Sequence, residues 1–116
     1  MKIALTGAAG RIGRCAARML LEEGFDIRAI DQRIEPSLPV KIEVANLLDR
    51  EACYRLFDDV EAIVHLANHP GPSSQNPQKV YNENVCVNMN VCQAAAELGV
   101  KKIVFASTIQ VIAVER

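Results

Sequence analysis

Thr6-Gly7-Ala8-Ala9-Gly10-Arg11-Ile12-Gly13 follows a short apolar run, Ile3-Ala4-Leu5, and opens a segment with apolar residues at Ile12, Cys15, Ala16, Met19 and Leu20. That recurrence marks one face of a helix, so the order is strand, glycine turn, helix. The order is the context a phosphate-binding turn requires. The first glycine, Gly7, lets the chain reverse tightly. The second, Gly10, removes a Cβ from the path of an anion approaching backbone N–H groups. The third, Gly13, lets the helix pack close to the strand. Arg11 and Ile12 lie between the last two glycines, where the helix presents its positive end.

A second strand, Phe25-Asp26-Ile27-Arg28-Ala29-Ile30, ends on Asp31, which is 24 residues past Gly7. An acid about 20 residues after the first glycine is placed to accept hydrogen bonds from the ribose hydroxyls of an adenine dinucleotide and to repel a 2′-phosphate. NAD is therefore the expected cofactor. Arg33, two residues beyond, is suited to a phosphate and leaves NADP open.

The 116 residues suit one domain, and half of them are hydrophobic. A net charge of −1 gives no electrostatic footprint for nucleic acid or a membrane surface. The first strand begins at Lys2, which leaves no expected room for a signal peptide. No metal spacing joins Cys15, Cys53, Cys86, Cys92, His65 and His69. Cys15, Cys53 and Cys92 fall on apolar helix faces and are expected as buried free thiols in a reducing cytoplasm.

Downstream, residues 32–39 read as a loop and Val40 to Ala45 as strand three. Asp49 caps a helix with apolar face Cys53, Leu56, Phe57 and Val60. Ala62 to Ala67 is strand four, with His65 read as packing. Asn68 to Pro77 is an uncharged loop, Gln78 to Leu98 a long helix stopped at Gly99, and Lys102 to Ser107 strand five. The long helix carries two stripes, Tyr81/Val85/Met89/Cys92/Ala96 and Val80/Val87/Val91/Ala94/Leu98. Alternating apolar strands and helices predict an α/β, doubly wound parallel sheet, a Rossmann fold of strand order 3-2-1-4-5. Ligands on such a sheet bind past the strand carboxyl ends where the order reverses, here between strands one and four. An open edge at strand five and an uncovered helix stripe predict that the isolated chain self-associates, as in a homo-oligomer, aggregates, or is only the ordered part of a longer protein.

These motifs together resemble the extended short-chain dehydrogenase/reductases, specifically the amino-terminal part of the NAD-dependent epimerase/dehydratase family. The glycines follow TGxxGxxG, Asp31 matches the ribose acid, and Asn46-Leu47 matches the acid-Leu/Ile adenine contact after strand three. Val64-His65-Leu66-Ala67 matches VxHLAA, Asn84 to Val91 matches NVxGTxNV, and Val104 to Thr108 matches vFaSS. The resemblance spans essentially the whole chain. It implies that Gly7, Gly10, Arg11, Ile12, Gly13, Asp31, Asn46, Leu47, Leu66, Ala67, Asn68 and Asn84 contact the cofactor. It implies that Thr108 contacts the reacting substrate group, with strand capping as its alternative role. His69 is either a substrate contact or solvated. The implied substrate is a sugar or nucleotide-sugar, and the implied chemistry is hydride transfer.

The sequence departs from the family at Asn46, which replaces an acid, at Val87-Asn88, which replace Gly-Thr, and at Val111-Ile112-Ala113, which replace VYG. The last leans towards simple sugar-acid dehydrogenases. The family's general base lies in YxxxK, yet Tyr54 and Tyr81 are followed four residues on by Asp58 and Val85. These 116 residues are thus expected to hold a cofactor as an NAD(P)-binding domain, truncated after strand five, without completing the reaction alone. The alternatives are a non-catalytic dinucleotide-binding sensor or regulatory module and, further off, a structural remnant.

Overall fold

The computed structural model describes residues 1–68 and 76–106. Five parallel strands form one sheet: β1 (Lys2–Thr6), β2 (Asp26–Asp31), β3 (Ile42–Val44), β4 (Ala62–His65) and β5 (Lys102–Phe105). Their order is β3-β2-β1-β4-β5, as the sequence predicts. Among the described residues three helices accompany them: α1 (Arg11–Glu22), α2 (Arg50–Phe57) and α3 (Pro77–Leu98).

Strand alternation sorts the core into two layers. Ala4, Ile30 and Ile63 face α2 and α3, where they pack with Phe57, Val91 and Ala94. Ile3, Leu5, Ile27 and Ala29 face the other way and pack with Ala17 of α1. Arg28 belongs to the α2 side but is polar. Its guanidinium donates to Leu56 O and Asp59 Oδ1, both at 2.6 Å, which satisfies an end carbonyl of α2. That pairing, with Lys2 added, holds the Asp59 carboxyl below its usual range.

Several expected details shift. The α1 stripe is displaced by one residue. Its buried positions are Gly13 and Ala17, with Ile12 and Met19 exposed. The reason is steric: a Cβ at Gly13 would lie 1.9 Å from Gly7 O, so the glycine itself is the contact line. Only Cys53 is a buried thiol; Cys15, Cys86 and Cys92 are exposed. Strand three is shorter than Val40–Ala45, and strand four stops at His65. On α3, the Val87/Val91/Ala94/Leu98 stripe faces the core. Tyr81, Val85, Met89, Cys92 and Ala96 are all exposed. Asn76 caps α3 through Oδ1, and Gly99 closes it at φ +73°. No described helix is long and apolar enough to cross a membrane.

Candidate dinucleotide site

The glycine turn is built from backbone. Gly7 has φ +74°, and an added Cβ there would sit 2.8 Å from Leu66 C. Both facts require glycine. Gly10 N donates to Gly7 O at 3.1 Å, and Ala8 N donates to Ile30 O at 3.2 Å, which ties the turn to β2. Gly10 is then the N-cap of α1 and offers no side-chain acceptor to the helix's first N–H groups. Acidic residues are also absent from the first turn of α1. The positive end of the helix is left to an external anion.

Asp31 is the last residue of β2. Its Oδ2 accepts from Ala9 N at 2.9 Å, and its Oδ1 accepts from Gln32 N at 2.6 Å. Arg33 donates from Nη2 to Ala9 O at 3.3 Å. Both side chains therefore grip the same residue of the turn.

The opposite wall is the end of β4. Thr6 Oγ1 accepts from Leu66 N at 3.0 Å and from Ala67 N at 3.1 Å. This bond pair binds the residue before Gly7 to the backbone after His65. A third wall comes from α3. Asn90 Nδ2 donates to Leu47 O at 2.9 Å and so holds the segment after β3.

These walls enclose a crevice of about 830 Å³ at the carboxyl ends of β1, β2 and β4. Gly7, Gly10, Arg11, Ile12 and Gly13 line it from the turn, Asp31 from the end of β2 and Leu47 from the segment after β3. Leu66, Ala67 and Asn68 line it from the segment after β4, and Asn84 from α3. Ile12 is 71% exposed because it faces this space rather than the core. Asn46 stands apart: it is exposed, outside the lining, and its Oδ1 accepts from Leu48 N at 3.0 Å. Thr108, Ser107 and His69 lie outside the described residues.

Gln32, Arg33, Val87 and Ala106 also line the crevice. Val87 had a legible signal, since it stands three residues after Asn84 on one helix face. Gln32 and Ala106 follow the ends of β2 and β5, where lining residues are expected in this topology. Among the described residues no cluster of His, Cys, Asp and Glu could hold a metal ion. None leaves a buried side-chain nitrogen or oxygen without a partner. Bare glycine backbone, an uncapped helix start and a carboxylate on the neighbouring strand fit a dinucleotide.

The chain belongs to the NAD dependent epimerase/dehydratase family, whose model matches residues 3–115. It is 35% identical to the UDP-glucose 4-epimerase of Bacillus subtilis over 93% of this chain and 37% of that protein. It is 31% identical to the uronate dehydrogenase of Pseudomonas syringae over 96% of this chain and 41% of that protein. Each relative is thus matched over less than half its own length.

Solved structures agree. A short-chain dehydrogenase/reductase superfamily protein from Agrobacterium tumefaciens with bound NAD superposes at TM-score 0.88 and 28% identity, covering 100% of this chain and 35% of that one. The Thermus thermophilus UDP-glucose 4-epimerase in complex with NAD gives 0.81 at 27% identity, over 93% of this chain and 38% of that one.

Proposed function

We propose that residues 1–116 are the NAD(P)-binding domain of a sugar or nucleotide-sugar epimerase, dehydratase or dehydrogenase acting by hydride transfer. The observation that carries this reading is the meeting of the Gly7–Gly13 turn, Asp31 and the Leu66–Asn68 wall on one crevice. In this reading the turn's N–H groups and the start of α1 hold the pyrophosphate. Asp31 accepts from the adenosine ribose, and Leu47 forms an apolar wall beside the adenine. Bound NAD supplies a hydride acceptor at its nicotinamide. Thr108 supplies a hydroxyl that orients the substrate oxygen.

A sugar or nucleotide-sugar substrate is supported by relatives of both kinds, an epimerase of UDP-glucose and a dehydrogenase of a uronate. A cytoplasmic location is supported by four free cysteines. A homo-oligomer is supported by the exposed apolar stripe of α3.

The second reading is a non-catalytic dinucleotide-binding module, which would use the same crevice for NAD alone. Titration calorimetry with NAD and NADP, followed by a screen of sugars and nucleotide-sugars for NADH formation or epimerisation, decides between them. Saturable NAD binding is expected, and its absence would overturn both readings. Binding without turnover on any substrate would favour the module.

A further inference from the structure

His65 is only 2% exposed, and both of its ring nitrogens are engaged. Nδ1 lies 2.7 Å from Thr6 Oγ1, and Nε2 lies 2.9 Å from Asn88 Oδ1. Thr6 stands directly opposite His65 in the β1–β4 register. A hydroxyl has one proton and two lone pairs. Both lone pairs of Thr6 Oγ1 are taken by Leu66 N and Ala67 N. Its proton therefore points to His65 Nδ1, which must be the acceptor. Nε2 then carries the ring hydrogen and donates it to Asn88 Oδ1. One neutral tautomer satisfies every partner, whereas an imidazolium would set an N–H against the Thr6 O–H.

Each member of this chain of bonds is the sequence neighbour of a crevice wall. Thr6 precedes Gly7, His65 precedes Leu66, and Asn88 follows Val87. We infer that His65 is a positioning residue of the dinucleotide crevice. Through Thr6 it fixes the glycine turn against the end of β4, and through Asn88 it fixes α3 beside both. The tolerance is small, because Gly7 approaches Leu66 too closely to admit a Cβ. Among the described residues, the groups against the ring are Thr6 from β1, Asn88 from α3 and the Phe105 ring of β5 at 5.4 Å, none of them charged. Nothing among them would compensate a proton on His65. The inference rests on the dinucleotide reading and extends it to a residue that does not itself line the crevice.

The test uses the full-length protein and NAD. Thr6→Val and His65→Leu are each expected to weaken NAD binding about tenfold or more, the loss of roughly one well-placed hydrogen bond. The measurement is calorimetry well below each variant's unfolding temperature, where a purely structural role would leave affinity unchanged. Thr6→Ser, which keeps the hydroxyl, should restore affinity. Independently, ¹⁵N NMR of the unmodified protein near pH 7 should show the His65 ring neutral and protonated on Nε2. That measurement decides the point if a variant fails to fold. An Nδ1–H tautomer, a charged ring, or unchanged affinity in Thr6→Val and His65→Leu would overturn the positioning role while NAD binding stands. Failure of the unmodified protein to bind NAD would overturn the dinucleotide reading itself.

Discussion

Asp31 Oδ2 accepts a hydrogen bond from Ala9 N at 2.9 Å, so the acid that ends β2 is anchored on the turn that ends β1. The carboxylate has two tasks: it braces the turn and faces the crevice. Asp31→Ala is therefore expected to weaken NAD by about tenfold or more, in line with roughly 1.5–3 kcal/mol for hydrogen bonds to a charged group. It should also narrow the preference over NADP, because the repelling charge is gone and Arg33 remains beside Ala9. Asp31→Asn, which keeps an acceptor for Ala9 N, should fall between. Equal or tighter NADP binding by the unmodified protein would refute the assignment.

The glycines of the turn should separate by consequence. A Cβ at Gly10 meets only Gly7 O, at 3.3 Å, whereas one at Gly13 would sit 1.9 Å from that oxygen. Gly10→Val is expected to abolish NAD binding while circular dichroism and the melting temperature change little. Gly13→Ala should lower the melting temperature markedly, since overpacking of this kind costs about 1–3 kcal/mol or more. Similar melting losses in both variants would contradict the geometry.

Acid should destabilise the fold through His65. Burial pulls its pKa below 6.5, partly opposed by the bond to Asn88. The folded chain therefore binds fewer protons than the unfolded one between the two pKa values, and stability rises with pH there. The contribution is complete above about 6.5, declines as pH falls below it, and levels off under the folded pKa. Asp59 and Glu35, whose pKa values are held down by Arg28 and by Ser37 respectively, lose their contributions only at lower pH. Urea unfolding across pH 4.5 to 7.5 (a range set by the roughly 6.5 reference) checks this. An unchanged slope in His65→Leu would rule the residue out.

The thiols give a readout of the exposed α3 stripe. Burial pushes the Cys53 thiol up to about 11, and it should resist alkylation until the chain unfolds. Cys15 and Cys86 should react readily. Cys92 lies on the same stripe as Tyr81 and Met89, so its protection should rise with protein concentration if that face associates. Sedimentation alongside alkylation tests this. A monomer at all concentrations, with Cys92 reactive throughout, would remove the case for self-association.

The strand order and most of the crevice were legible because each rests on local pattern. The glycines of the turn and the acid 24 residues on announce themselves by spacing, and the apolar runs by continuity. The α1 face was misread because apolar residues at Ile12 and Met19 suggested a buried stripe. The actual contact line is set by a missing side chain at Gly13, which periodicity does not weigh. The network around His65 was invisible for a different reason. Thr6, His65 and Asn88 are far apart in sequence, and only the β1–β4 register brings the first two face to face. The roles of the α3 asparagines beyond Asn84 were hidden in the same way, because polar residues on a helix give no periodic signal for a distant partner. Asn88 and Asn90 in fact reach β4 and the segment after β3.

β1 is the middle strand of the sheet, paired at Ile3 with Ile27 on one edge and with Ala62 on the other. Closing the longer of these two loops costs about 0.8 kcal/mol more chain entropy than closing the shorter. The pairing that costs less builds the side of the sheet bearing Asp31. The costlier one brings Leu66 up to Gly7 and finishes the crevice. In folding time, the ligand's cradle belongs to the more distant meeting, and its assembly is the step that the order of the chain makes slowest to reach.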